Sequence, residues 1–109
     1  MPTAEASGTY TPAALDTEYN LNTAITTTKT LIFEVDTVNL ANGETVTFQV
    51  KVTVLAAGAN RVAYQAIYKH VQAEPIKVSI PIPSDVSYQI TIKQSGGTAR
   101  AYPWKIFSI

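Results

Sequence analysis

The amino-acid sequence predicts an all-β domain, an antiparallel β-sandwich or jelly roll of about 7–8 strands behind an extended N-terminal arm. Three observations lead there. β-Branched residues dominate, with 15 Thr, 10 Val and 10 Ile against 5 Leu, and branching at Cβ stiffens χ1 and suits a pleated surface. Apolar and polar residues alternate with period two in one run after another. Turn residues, Asn-Gly, Gly-Gly and Ser-Asp among them, punctuate those runs at about the 8–12-residue spacing of a sandwich. The 109 residues suit a single domain, and 46% hydrophobic against 15% charged residues is a folding composition.

Residues 1–17, MPTAEASGTYTPAALDT, contain no Lys or Arg and show no period. They predict an extended arm ahead of a domain at 18–109, docked by Tyr10, Pro12, Ala13, Ala14 and Leu15. An arm reaching away would point to a neighbouring subunit, and one folded back to a self-contained module. Deleting residues 1–14 is expected to spare melting behaviour and weaken assembly.

Tyr19-Asn20-Leu21 predicts a short strand, and Thr30 to Asp36 a longer one with Leu31, Phe33 and Val35 on one face. Asn42-Gly43 predicts a turn. Val46, Phe48, Val50, Val52 and Val54 then alternate with Thr45, Thr47, Gln49, Lys51 and Thr53, a half-buried strand. After Ala57-Gly58-Ala59-Asn60, residues 61–72 read two ways. Val62, Tyr64, Ala66 and Tyr68 alternate with Ala63, Gln65, Ile67 and Lys69 as in a strand, while Arg61, Gln65, Lys69 and Gln72 form a helical polar stripe. The strand is favoured, because the run from Arg61 to Val71 matches in length the run from Thr45 to Leu55 and would pair with it across one hairpin. Beyond Glu74-Pro75, Ile76, Val78, Ile80 and Ile82 are expected inward, with Lys77, Ser79 and Pro81 outward. Pro81 and Pro83 put this strand on an edge, since proline cannot donate to a ladder. Val86, Tyr88, Ile90 and Ile92 mark the next strand, Ser95-Gly96-Gly97-Thr98 a hairpin loop, and Tyr102 to Ile109 the last strand, with Tyr102, Trp104 and Ile106 on one side.

The residues argue against chemistry. With no Cys, disulfides, thiolate metal sites and Cys nucleophiles are excluded. The lone His70 lies near Glu74, but no serine has the glycines of a nucleophile elbow. Glu34 and Asp36 read as a solvated face, since a calcium loop needs several more oxygen ligands. Gly96-Gly97 precedes no helix that would cradle a phosphate, and Trp104 at strand period reads as core. Hence no catalytic, metal or cofactor residue is expected, and no enzyme. Arg61 and Arg100 stand at loop tips beside Tyr64 and Tyr102. Two arginines are a thin footprint for nucleic acid, so contact with protein is preferred. Tyr10, Pro12, Leu15, Arg61 and Arg100 are the candidate protein-binding residues.

Net charge is zero, which gives no broad attraction to nucleic acid or an anionic membrane. No stretch reaches the ~18 apolar residues of a membrane span, and Met1-Pro2-Thr3-Ala4-Glu5 shows no signal peptide. Residues 1–50 nonetheless carry one Lys against six acids, and residues 51–109 carry seven bases against two. That asymmetry means either scattered surface charge or complementary patches that favour head-to-tail contact between copies.

Three segments, ASGTYTPAALDTEYNL, FEVDTVNLANGETVTFQVKV and PIKVSIPIPSDVSYQITIKQSGGTARAYPWKIFSI, resemble in style and layout the small β-rich virion proteins of tailed bacteriophages, capsid decoration (cement) proteins above all. The resemblance implies a β-sandwich, made in the host cytoplasm and seated on the outer capsid surface. Its partners would be the major capsid protein and its own copies, as a homotrimer, with no catalytic residues. The alternative is a glycan- or protein-binding module of a fibre, tail or adhesin, which needs Tyr64, Tyr68 or Trp104 exposed on one flat face.

Overall fold

The computed structural model describes residues 2–109, among which there are nine strands and no helix. They are β1 (Thr3–Tyr10), β2 (Tyr19–Asn20), β3 (Lys29–Asp36), β4 (Thr45–Thr53), β5 (Arg61–Lys69), β6 (Ile76–Val78), β7 (Ile82–Ser84), β8 (Ser87–Ser95) and β9 (Tyr102–Ser108). Every pairing is antiparallel. One sheet runs β1-β9-β3-β6 with β7 also on β3, and the other runs β2-β8-β4-β5. Both sheets therefore alternate strands from early and late in the chain. Because β6 and β7 pair with the two halves of β3, they act as one interrupted strand. That brings the count to the eight of a jelly roll, the more specific of the two architectures expected.

The period-two pattern sets the core. Leu31, Phe33 and Val35 of β3 and Ile106 of β9 face Val46, Phe48 and Val50 of β4 and Ile90 and Ile92 of β8, all buried. Phe48 stitches the sheets together, with its ring centroid 5.4 Å from Phe33 and 6.0 Å, edge-on, from Tyr102. Aromatic pairs of this kind contribute roughly 0.5–1.5 kcal/mol each beyond the area they bury. Residues 61–69 are the favoured strand, with Tyr64, Ala66 and Tyr68 turned toward the core side.

Two parts of the pattern reverse. Ile76, Val78 and Ile80 are exposed, whereas Ser79 is buried. Ser79 is held inward because its Oγ accepts the Phe33 N–H at 3.0 Å and donates to the Ile80 carbonyl at 3.0 Å. The chain is then interrupted at Pro81, and only Ile82 of the four expected residues reaches the core. On β5, Val50 opposes Tyr64 but Lys51 opposes Val62, so Ala63 is an extra residue in a bulge. The bulge turns Val62 out beside the solvent-facing Lys51. Val54 lies past the end of β4 and is exposed.

The N-terminal segment, expected as an arm over 1–17, is from Thr3 to Tyr10 a strand of the larger sheet. It folds back to pair with β9 along its length, with a bulge between Ala4 and Ala6. Glu5 sits at that bulge, where its carboxylate accepts hydrogen bonds from Lys29 Nζ and, at 2.7 Å, from Ser108 Oγ. Those two contacts, Lys29 first, hold the Glu5 carboxyl below its ordinary range.

The Tyr88 hydroxyl is enclosed in the core without a hydrogen-bond partner. Its neighbour Ser79 lowers its pKa slightly, but the Ser79 Oγ is committed to Phe33 and Ile80. Burial dominates and pushes the phenol well above its ordinary value. An orphaned buried hydroxyl costs about 1–3 kcal/mol of desolvation, so Tyr88→Phe is expected to leave stability unchanged or raise it, as read from urea unfolding midpoints. Deleting residues 1–10 removes β1 and the Glu5 contacts and exposes the flank of β9. A lower melting temperature is therefore expected in place of unchanged melting, and an unaltered thermal transition would contradict the structural role of β1.

Candidate interaction surface

The most elaborate polar cluster closes one end of the sandwich. Glu44 follows the Asn42-Gly43 turn and is 2% exposed. Its Oε1 accepts the Ala41 N–H at 2.9 Å and its Oε2 the Thr98 N–H at 3.1 Å. Arg100 donates Nε to both carboxylate oxygens at 2.9 Å and Nη2 to Oε2 at 2.8 Å. The Arg100 guanidinium, opposed by desolvation, brings the Glu44 carboxyl down to about 2. Gln94, wholly buried, donates Nε2 to the Thr98 carbonyl at 2.7 Å and accepts at Oε1 from the Arg100 N–H and the Tyr102 hydroxyl. Gly97 has φ +63°, and a Cβ there would fall 2.2 Å from Glu44 Oε2; only glycine lets the loop cover the carboxylate. His70, at φ 61°, donates its N–H to the Glu44 carbonyl and accepts the Gly43 N–H at Nδ1, both at 2.9 Å.

This cluster gathers the lone His, an acid and an arginine, yet its groups face one another. Glu44 and Gln94 are enclosed, with donors matched to acceptors inside the molecule. The arrangement is a clasp between the turn before β4, the turn after β5 and the β8–β9 loop. Sequence reasoning assigned no role to Glu44 or Gln94, although each continues the buried parity of its strand, Glu44 that of Val46, Phe48 and Val50 and Gln94 that of Tyr88, Ile90 and Ile92, because charged and amide side chains are ordinarily exposed. The Gly-Gly pair beside Arg100 was the available sign.

The five expected contact residues are dispersed. Tyr10 packs on its own core and meets Tyr19 at 6.0 Å, Pro12 is buried and Leu15 half-buried, and Arg100 is held by Glu44. Only Arg61 is exposed, at the start of β5. Of the residues proposed for a flat aromatic platform, Tyr64, Tyr68 and Trp104 are all half-buried against the core.

Arg61 stands in an apolar setting. Every residue from Val54 to Ala63 is exposed, including Val54, Leu55 and Val62, which border an open cleft of about 420 Å³ at the β4–β5 hairpin tip. Ile67 on β5 and Ile76, Val78 and Ile80 around β6 are each more than half exposed. Lys77 Nζ lies 5.2 Å from the Tyr68 ring centroid, which places β5 and β6 together on one flank. The enclosed space between the sheets there, bordered by Phe33, Tyr64 and Tyr68, measures only about 10 Å³, no more than one water needs. Within the smaller sheet β5 pairs only with β4, so its outer N–H and C=O groups form a free edge. A free edge beside exposed apolar side chains is the physical description of a protein contact surface.

No protein-family model, no curated protein and no solved structure matches this chain.

The clasp has a measurable signature. A carboxyl lowered from 4.5 to about 2 contributes stability that is complete above pH 4.5 and is lost as pH falls through about 2. Glu44→Gln leaves the Arg100 charge without its partner and is expected to cost roughly 2–4 kcal/mol at pH 7. Its stability–pH curve is expected to be flatter than that of the parent between pH 4.5 and 2, measured by denaturant unfolding at each pH. Parallel curves would show that Glu44 is not the group titrating.

Proposed function

We propose that this protein is a non-catalytic structural component of a virion, which decorates and stabilises a bacteriophage capsid by binding the lattice of the major capsid protein and associating with its own copies as a homotrimer. The observation that carries the reading is the β5–β6 flank, where a nine-residue edge strand runs beside exposed Val62, Ile67, Ile76, Val78 and Ile80. An exposed sheet edge binds an extended segment through main-chain hydrogen bonds, with flanking side chains giving selectivity. On a lattice of identical subunits, small contacts of this kind gain strength by multivalency. The jelly roll hosts viral shell domains and lectin domains alike, a support by analogy of fold alone. The quoted segments that resemble decoration proteins add to it.

The attachment differs from the one first expected. With Thr3–Tyr10 folded back onto β9, the clamp is the β5–β6 flank and the hairpin tip. The folded-back strand also favours the second reading, a self-contained binding module. Against it stands the half-buried placement of Tyr64, Tyr68 and Trp104, since a sugar platform needs open aromatic faces.

Purified protein mixed with undecorated capsids is expected to co-sediment with them and to add density at symmetric lattice positions in electron micrographs. Replacing Val78 and Ile80 together with Asp is expected to abolish that density while the circular dichroism spectrum is retained. Bare lattices after saturation with the parent protein would remove the reading, and a glycan-array signal would favour the module.

A further inference from the structure

We propose that the Asn42-Gly43 turn is a self-modification site, where the chain expels ammonia and converts Asn42 into aspartate and isoaspartate. The nucleophile is the Gly43 backbone nitrogen, the base is His70, and the Val71 N–H polarises the side-chain amide. The inference rests on the geometry of this turn and is independent of what the protein binds.

The parts of an amide-attack reaction meet here. The Gly43 N–H donates to His70 Nδ1 at 2.9 Å, within the reach required of a general base. By accepting at Nδ1 the imidazole is fixed in its neutral Nε2–H form, with a lone pair directed at the one proton that must leave. The Val71 N–H donates to Asn42 Oδ1 at 3.2 Å. It draws charge from the amide carbonyl and stands where that oxygen becomes negative on attack. Glycine suits the nucleophile, because a side chain at residue 43 would crowd the ring being closed. A Cβ at Gly43 would meet nothing within 4 Å, so the turn also has space to bring its nitrogen onto Asn42 Cγ. Asn42, Gly43, His70 and Val71 are all exposed, which lets ammonia leave and water enter. His70 is held in place at its left-handed φ of 61° by the bond from its own N–H to the Glu44 carbonyl.

The reaction balances with water as the only other reagent. A bond forms between Gly43 N and Asn42 Cγ while the Gly43 proton passes to His70 Nδ1. The imidazolium returns that proton to Asn42 Nδ2 as the Cγ–Nδ2 bond breaks, which releases ammonia and leaves a cyclic succinimide. Water then opens the ring. Cleavage at the side-chain carbonyl gives aspartate, and cleavage at the main-chain carbonyl gives isoaspartate. Either product adds a negative charge, and isoaspartate also inserts a methylene into the backbone. The turn it lengthens is the one closed by the Glu44 N–H on the Ala41 carbonyl at 3.2 Å and by the Ala41 N–H on Glu44 Oε1 at 2.9 Å. A longer turn does not keep both bonds, so the modification loosens the Glu44 clasp.

The full chain is incubated in warm neutral buffer, digested, and followed by tandem mass spectrometry with an isoaspartyl methyltransferase assay. Conversion is expected at Asn42 and not at exposed Asn60, which precedes Arg61. The decisive comparison is between the folded chain and the same chain in urea at one pH. An unassisted Asn-Gly pair reacts more slowly when a fold restrains it, whereas this one is expected to react faster folded than unfolded. His70→Asn keeps a residue that tolerates positive φ and removes the base. It is expected to slow conversion of the folded chain by roughly 100-fold, the lower end of what a positioned general base contributes, and to leave the rate in urea unchanged. A purely structural role for His70 predicts the opposite sign, since a loosened turn would react at up to the unfolded rate. Conversion no faster in the folded chain than in urea overturns the proposal without recourse to any variant, and so does a His70→Asn chain that reacts as fast as the parent. The converted chain is expected to unfold at lower urea than the fresh one, and an unchanged midpoint would overturn the link to the clasp.

Discussion

The buried carboxylate of Glu44 is the constraint on which the end of this sandwich is organised. A charge with 2% exposure is tolerated only when its lone pairs are met, and the chain meets them from two connections. The turn before β4 supplies the Ala41 N–H, and the β8–β9 loop supplies both the Thr98 N–H and the Arg100 guanidinium. The β8–β9 loop crosses from one sheet to the other. Satisfying one carboxylate therefore fixes the relative position of β4, β8 and β9, and hence of the two sheets. The requirement reaches the backbone as well, since Gly97 must adopt a positive φ with no Cβ for the loop to close.

The long edges are disposed differently. The β1–β2 flank is stitched to its own domain by the Glu5 contacts with Lys29 and Ser108 and by the Lys51–Glu18 pair at 2.7 Å. The β5–β6 flank is held without an ion pair among the described residues, by Lys77 against the Tyr68 ring and by hydrogen bonds from Phe33 to Ser79 and from Thr37 to the Pro75 carbonyl. Its inner aromatics are half-buried because the interrupted β6–β7 strand covers β5 incompletely, and its branched aliphatic residues face solvent. A sheet edge of this length is commonly guarded by charge, proline or a bulge. β5 has a bulge at Ala63 and a cation near each end, devices that disfavour pairing with itself while leaving the strand open to an unlike partner.

Much of this was legible in the residues. The core face of β3, β4, β8 and β9 follows from period-two alternation, because burying one side of a pleated strand leaves no other pattern. Glycine pairs and Asn-Gly marked the turns correctly for the same local reason, a need for positive φ. The reading failed where a local rule met a long-range partner. Ile76, Val78 and Ile80 alternate like core residues and face solvent, since the Ser79 hydroxyl is drawn inward by the Phe33 N–H on another strand. Residues 3–10 lack a β-rich pattern of their own, and their strand exists through pairing with β9 at the far end of the chain.

Composition and periodicity by themselves determined the all-β class, the positions of the strands after residue 18 and the side of most of them that is buried. These depend on the geometry of a single strand, which alternates faces every residue whatever lies beside it. Only the tertiary structure decided which edges stay open, that Arg100 belongs to an internal clasp, and which partners meet the buried polar groups of Glu44 and Gln94. Those outcomes depend on groups far apart in sequence, such as Glu44 and Arg100, and on which hydrogen bonds remain once every neighbour is in place. Alternation along one strand carries no record of either.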